Sequence, residues 1–326
     1  MRILVLGGTG WLGGHVTALA AASGHHVTCV ARGEKAPAGA TLVRADRESD
    51  DALAELAGAE WDAVVDVATH PGYVRRAVRD LSECAAKYVY VSSISVYASG
   101  VDSGVDEDSA VFDPLVADAM RTMEDFGPAK SACEQAVRAG FPRDRHAIVR
   151  PGLIGGPGDR TGRSTYWPRR FAAPSNPRGR VLVPDAADLP TAVIDVRDLA
   201  AFLLTTAVGD AHGAFDAAGA SVPFAEHLDL AREVAGRRGA PTAVPEEWLL
   251  ERGVDQWMGP RSLPLWIVDR DQARAMASRP STRARAAGLV LRPLAETLAD
   301  VVAVPGAVVE GAGLTDDEER ELLAAW

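Results

Sequence analysis

The chain has 326 residues, of which 47% are hydrophobic and 24% charged, and its formal net charge is −11. That length holds one large α/β domain with a smaller appended lobe and is too short for three ordinary domains; an acidic chain without a basic footprint argues against a nucleic-acid partner. Three widely spaced cysteines, Cys29, Cys84 and Cys133, argue against a disulfide framework or thiolate metal site and fit a reducing, cytoplasmic setting. In chain order, short apolar runs predict strands at Ile3–Leu6, Val27–Val30, Leu42–Val43, Ala63–Val67, Tyr88–Val91 and Ala147–Val149. Helical periodicity predicts helices at Trp11–Ala22, Asp50–Leu56, Tyr73–Ala86 and Thr122–Ala139. Strands this apolar, separated by helices, imply a doubly wound parallel sheet buried on both faces. Ser99–Asp113 reads as a surface loop over the carboxyl ends of the strands.

Beyond Arg150 the chain is irregular through Pro184, then a strand at Thr191–Ile194 and a helix at Val196–Val208 are expected to return to the main sheet. Residues 220–326 predict short helices separated by prolines, at Pro223–Gly236, Pro245–Arg252, Pro293–Val302 and Thr315–Trp326. The expected organisation is a domain over 1–150 completed by 190–217, with 151–189 and 218–326 forming a mostly helical substrate lobe. No apolar run approaches the roughly 18 residues of a membrane span. The seven histidines are scattered without metal-ligand spacing, and the Gly-x-Ser-x-Gly elbow of a serine hydrolase is absent.

Gly7-Gly8-Thr9-Gly10-Trp11-Leu12-Gly13 follows the first strand and opens the first helix. In that context Gly7, Gly10 and Gly13 let the backbone turn tightly, and the amides and positive dipole end of the helix receive a diphosphate. A carboxylate for an adenosine 2′-hydroxyl is expected at the end of the second strand. The sequence there is Val30-Ala31-Arg32-Gly33, and a guanidinium matches a 2′-phosphate instead, so NADP(H) is expected ahead of NAD(H). Asp46 fits two roles, accepting from the adenine amino group or capping the helix expected at Asp50.

Four further segments carry a resemblance: Val89-Tyr90-Val91-Ser92-Ser93-Ile94-Ser95-Val96-Tyr97, Phe126-Gly127-Pro128-Ala129-Lys130 through Glu134, Arg150-Pro151-Gly152 through Asp159, and Ile194-Asp195-Val196-Arg197-Asp198. With the glycine turn, they make residues 1–217 resemble the extended short-chain dehydrogenase/reductase family, which includes nucleotide-sugar epimerases, dehydratases and carbonyl reductases. The resemblance implies that Ser93, with Ser92 and Ser95 as its competitors, hydrogen-bonds the reacting oxygen of a small-molecule carbonyl or alcohol. It implies that Lys130 binds the nicotinamide ribose, that Ala68, Pro151 and Gly152 contact the cofactor, and that a homodimer forms through the helices Tyr73–Ala86 and Thr122–Ala139.

The family's tyrosine, four residues before the lysine, is replaced by Phe126, which cannot exchange a proton. Three readings stay open: a natural or introduced Tyr→Phe replacement in a reductase, dehydrogenase or epimerase; another acid; or a redox-neutral lyase, cyclase or isomerase, or a dinucleotide sensor, on the same fold. Substitute acids are sought at Asp125, Tyr97, His70 and Tyr166. Substrate contacts are expected from His70, Tyr97, Tyr166, Trp167 and Arg170, the last three in an Arg- and aromatic-rich segment suited to an anionic or planar ligand.

Overall fold

A computed structural model describes residues 1–98, 106–304 and 311–326, so part of the expected Ser99–Asp113 loop, 99–105, lies outside the described residues. The chain forms two compact units. The first comprises Met1–Gly152, Val196–Ala218 and Pro280–Val290, and the second comprises Leu153–Asp195, Gly219–Arg279 and Leu291–Trp326.

In the first unit the apolar runs become β1 Arg2–Leu6, β2 His26–Ala31, β3 Ala40–Arg44, β4 Ala63–Asp66, β5 Tyr88–Val91 and β6 His146–Pro151. An edge strand, Gly213–Ala217, completes a seven-stranded sheet in the order edge, β6, β5, β4, β1, β2, β3, with all neighbours parallel. Strands β4, β5 and β6 are buried along their whole length, as a sheet covered on both faces requires. Strand order reverses between β1 and β4, whose last residues pair as Leu6 with Asp66. A doubly wound sheet opens its ligand crevice at that point.

Helix α1, Trp11–Ala22, packs beside the helix Val196–Val208, and α2, Pro71–Leu81, packs beside α3, Phe126–Gly140. Pro71 sits at the first helical position of α2, where its missing N–H costs nothing. Asp50–Leu56 forms successive turns rather than the expected helix. Leu53 and Leu56 nevertheless enter the core of the unit.

The expected strand Thr191–Ile194 is two short ones outside the main sheet. Pro190–Ala192 pairs antiparallel with Ser221–Pro223, and Ile194–Asp195 pairs parallel with Ile154–Gly155. Residues 190–195 therefore belong to the second unit and 280–290 to the first, a division that chain order does not reveal.

The second unit gathers Trp167, Phe171, Phe224, Trp266, Leu298 and Leu322 into one core. Prolines 223, 245 and 293 stand at the N-caps of the helices Phe224–Val234, Glu246–Glu251 and Leu294–Ala303. Thr315 and Glu318 form a reciprocal capping box on Asp316–Ala325. The helices Tyr166–Ala172 and Arg270–Ala277 escape the sequence pattern.

Within this core His227 is fully buried, its Nδ1 is 3.5 Å from Thr191 Oγ1 and its Nε2 has no hydrogen-bond partner. Burial pushes the imidazole down to about 4 from its ordinary 6.5. The folded chain thus resists a proton that the unfolded chain accepts, so stability is complete above pH 6.5 and falls as pH drops toward 4. The slope is about 1.4 kcal/mol per pH unit and the loss about 3 kcal/mol. Urea unfolding followed across that range should give this slope, and His227→Leu should flatten it. An unchanged slope in the variant would assign the titration to another group.

Candidate functional site

The site is built from the crevice between β1 and β4. Gly7 leaves β1 with φ +91° and donates its N–H to the Val30 carbonyl at 2.8 Å. A Cβ on Gly7 would stand 2.6 Å from Val67 Cγ2, and one on Gly13 would overlap the Gly7 carbonyl oxygen. The chain therefore turns from strand to helix in the space of Thr9, Gly10, Trp11 and Leu12. Gly10 caps α1 without a side-chain hydrogen bond, and the first turn holds no acidic residue. First-turn amides lack acceptors within a helix, and their partial positive charge favours an anion in front of them.

A cleft of about 500 Å³ opens there, lined by the glycine turn, by Arg32 beyond β2, by Asp46 and Arg47 beyond β3, and by Ala68, His70 and Tyr73 around the end of β4. Arg32 is exposed and makes no ion pair among the described residues. Asp46 Oδ1 accepts the Glu48 amide at 3.1 Å; because turns and not a helix follow, it caps a turn instead of the expected helix, and it also borders the cleft.

Sequence reasoning missed what lies beneath this cleft. Asp66, the fully buried last residue of β4, takes a forked pair of hydrogen bonds from Arg47 at 2.7 and 2.9 Å, one from Tyr88 at 2.6 Å and one from the Ala68 amide at 2.9 Å. Burial opposes its charge, but Arg47 and these donors hold the carboxyl below the ordinary carboxylate range. Arg47 also donates to the Tyr73 carbonyl at 2.7 Å. A carboxylate at the end of an otherwise apolar strand was the available signal, since a charge there needs a buried partner.

Lys130 of α3 reaches the carboxyl ends of β4 and β5, where Nζ donates to the carbonyls of Ala68 at 2.9 Å and Val91 at 2.8 Å. It is buried, which pushes its ammonium down from the usual lysine range. Its Nζ lies 5.1 Å from the Tyr90 ring centroid and 5.9 Å from that of Phe126. A Cβ on Gly127 would stand 2.5 Å from the Ser95 carbonyl oxygen, so the start of α3, with Phe126, lies close against the serine segment.

The three serines separate by environment. Ser92 is buried and donates to Glu134 at 2.6 Å; Ser93 is half-buried and its oxygen accepts the Ser95 amide at 3.1 Å; Ser95 is exposed. Ser93 therefore keeps its hydroxyl proton available for an acceptor.

Of the substitute acids, Asp125 accepts the amides of Arg121 and Thr122 and caps its own turn. Tyr97 is buried, donates to Asp216 at 2.7 Å, accepts from Arg150 at 2.9 Å, and is driven far above the ordinary phenol range by burial; it braces the framework. His70 borders the cleft with its ring edge-on to Tyr73, and its Nδ1 accepts the Met120 amide at 3.3 Å. That bond leaves the imidazole proton on Nε2, so His70 can donate a hydrogen bond into the cleft, but full release of that proton would leave an imidazolate.

Pro151 ends β6, and the Gly152 amide is already given to the Ala217 carbonyl at 3.1 Å. In the second unit Trp167 is fully buried with its indole N–H on the Pro264 carbonyl at 2.9 Å. Tyr166 and Arg170 are buried beside a separate cavity of about 320 Å³, and Arg170 bonds Asp316 and the Leu314 carbonyl. Trp167 is thus core rather than an exposed contact.

Residues 3–212 match the NAD dependent epimerase/dehydratase family. The chain belongs to that family. A 2′-dehydrokanamycin reductase from Streptomyces kanamyceticus is 29% identical over 272 residues, which cover 77% of this chain and 72% of the relative. The Bordetella bronchiseptica enzyme WbmH, solved with NAD+, shares the fold at 19% identity and TM-score 0.65, covering 93% of this chain and 97% of its own. The human epimerase family protein SDR39U1, solved with NADPH, does so at 20% identity and TM-score 0.59, covering 94% and 100%.

For this family member the buried pair under the cleft is testable. Asp66→Ala leaves the Arg47 guanidinium without its counter-charge and should cost about 3–5 kcal/mol, read from urea unfolding. Arg47→Leu added to it should recover part of that loss. A single variant within about 0.5 kcal/mol of the parent would mean that the pair contributes no stability.

Proposed function

We propose that this chain is a nicotinamide-dinucleotide-dependent reductase or dehydrogenase of a small-molecule ketone or alcohol, with NADP(H) as the preferred form. The observation that carries the reading is the start of α1, without a side-chain cap, behind the Gly7–Gly13 turn, at a cleft lined also by Arg32, which makes no ion pair among the described residues. The glycine turn fits such a group, because a Cβ at Gly7 or Gly13 would strike Val67 or the Gly7 carbonyl and force the tight turn open. The cofactor, when bound, supplies or accepts a hydride.

The chain's own residues then have distinct tasks. First-turn amides bind the diphosphate, Arg32 grips a 2′-phosphate with a forked donor set, and Lys130 holds ribose hydroxyls with the donor left over from Ala68 and Val91. Ser93 donates its hydroxyl proton as a hydrogen bond to the reacting oxygen, while His70 Nε2–H supports an oxygen on the cleft side. The reductase from Streptomyces supports reduction as the direction and a keto-sugar as the first substrate class to test; the human protein with NADPH supports the phosphorylated cofactor.

A second reading rests on Phe126. With no hydroxyl at the family's tyrosine position, the same cleft suits a redox-neutral reaction or a sensor role.

Two measurements separate the readings. Arg32→Ala should weaken NADPH binding about 10- to 100-fold with little change for NADH, since one charged hydrogen-bonded contact contributes about 1.5–3 kcal/mol; titration calorimetry reads both. Equal loss for the two cofactors would remove Arg32 from phosphate recognition. Phe126→Tyr should raise NADPH-dependent reduction of 2′-dehydrokanamycin about 100-fold or more. Turnover without any change in nicotinamide absorbance, in both proteins, would favour the redox-neutral reading.

A further inference from the structure

His70 stands at the N-cap of α2, half-buried, and lines the cleft. Two neighbours fix its ring: Tyr73 meets it edge-on with centroids 5.3 Å apart, and the Met120 amide donates to Nδ1 at 3.3 Å. Tyr73 is itself held, with the Arg47 and Arg76 guanidinium groups 5.5 and 5.7 Å from its ring centroid. Met120 arrives from a distant part of the chain. After Val111 pairs with Tyr97, residues 112–120 cross α3 and then α2. The Phe112 carbonyl accepts from the Ser131 hydroxyl at 2.6 Å, the Leu115 amide donates to the Pro128 carbonyl at 2.9 Å, and the Asp118 carbonyl accepts the Gly72 amide at 2.9 Å.

This strap has no hydrophobic anchor. None of residues 111–120 is buried, so hydrogen bonds rather than packing set its course. Arg75 of α2 supplies three of them: its guanidinium donates to the carbonyls of Leu115 at 2.9 Å and Val116 at 3.1 Å and pairs with Asp118 at 2.5 Å. Gly72 lets the strap lie this close, since a Cβ there would stand 2.8 Å from that of Asp118.

A neutral imidazole has one N–H, and its other nitrogen accepts. With Nδ1 accepting from Met120, the proton sits on Nε2, the ring's only polar atom left for an occupant of the cleft. The opposite tautomer would set two N–H groups against each other at the strap. It would also offer a lone pair to a cleft whose glycine turn and Arg32 favour an anion. We propose that Arg75 is a positioning residue for this cleft: by holding the strap it keeps the Met120 amide on His70 Nδ1, so that Nε2–H is presented to an oxygen of the bound dinucleotide. The proposal rests on the nicotinamide-dependent reading above.

The first arm of the test needs no cofactor. Long-range 1H–15N correlation spectra of histidine-labelled protein, recorded at about pH 8, above the usual imidazole range, distinguish the two neutral tautomers. His70 signals are assigned by their loss in His70→Phe. The unsubstituted chain should show the His70 proton on Nε2. Arg75→Met, a change to a side chain that is 37% exposed, should move the signals toward a mixture of tautomers, and Arg75→Lys, which keeps a donor, should move them less.

The second arm is a double-mutant cycle on NADPH binding, read by titration calorimetry. Arg75→Met and His70→Phe should each weaken binding about 3- to 10-fold, the share of one hydrogen bond, and the double variant should lose no more than His70→Phe alone. Losses that multiply would make Arg75 a support of the fold only and overturn the proposal. Spectra of Arg75→Met identical to those of the unsubstituted chain would overturn it too, as would a His70 proton found on Nδ1. If NADPH fails to bind the unsubstituted chain, the nicotinamide reading falls together with the ligand named here, while the first arm still decides whether the strap sets the tautomer.

Discussion

The buried carboxylate of Asp66 is the constraint on which the cleft depends. Taking an ionised carboxylate out of water costs several kcal/mol unless its lone pairs are filled. Here they are filled from three directions, by Arg47 beyond β3, by Tyr88 of β5 and by the amide of Ala68 just past β4. Arg47 in turn holds the Tyr73 carbonyl of α2. The ends of β3, β4 and α2 thus form one polar knot, and the cleft is the space above it. Because the Ala68 carbonyl also accepts from Lys130 and Tyr90, the position of the lysine follows from the same carboxylate. The pair stabilises the fold little in net terms; what it fixes is the geometry of the turn that the cleft needs.

A second buried network does the same for the serine segment. Glu134 of α3 receives Ser92, Arg138 and both ends of the Arg150 guanidinium, and Arg150 continues to Tyr97 and the Glu107 carbonyl. Tyr97 closes on Asp216 of the edge strand. Ser92 is consumed by this network, so the next residue along an extended chain, Ser93, must face the other way. The hydroxyl suited to chemistry is therefore selected by the one that is buried, and α3 supplies both the anchor for Ser92 and the lysine that holds the Val91 carbonyl at the end of β5.

Much of this was legible in the sequence because it is local. The glycine turn, the six strands before residue 151 and α1 depend on neighbours a few residues apart, and the prolines at the N-caps of the later helices announce themselves. What the sequence withheld is non-local. Asp66 and Arg47 are 19 residues apart and meet only because β3 and β4 flank β1 and β2 in the sheet. Thr191–Ile194 has the composition of a main-sheet strand, but its backbone finds partners in Ser221–Pro223 and Ile154–Gly155 instead. Tyr97 reads as a chemical group until the Asp216 carboxylate, 119 residues away, is seen to hold its proton. Asp50–Leu56 fails for the opposite reason: its periodicity is helical, but two buried leucines suffice to anchor it as turns.

The same physics explains why the position of Phe126 can change without dismantling the site. A tyrosine hydroxyl at that point would add one donor and one acceptor, but neither network passes through it; Glu134 and Asp66 are saturated without it. The aromatic ring is what the packing requires, since Gly127 presses the start of α3 onto Ser95 and the ring covers the ammonium of Lys130. Loss of the hydroxyl therefore removes chemistry and leaves architecture intact.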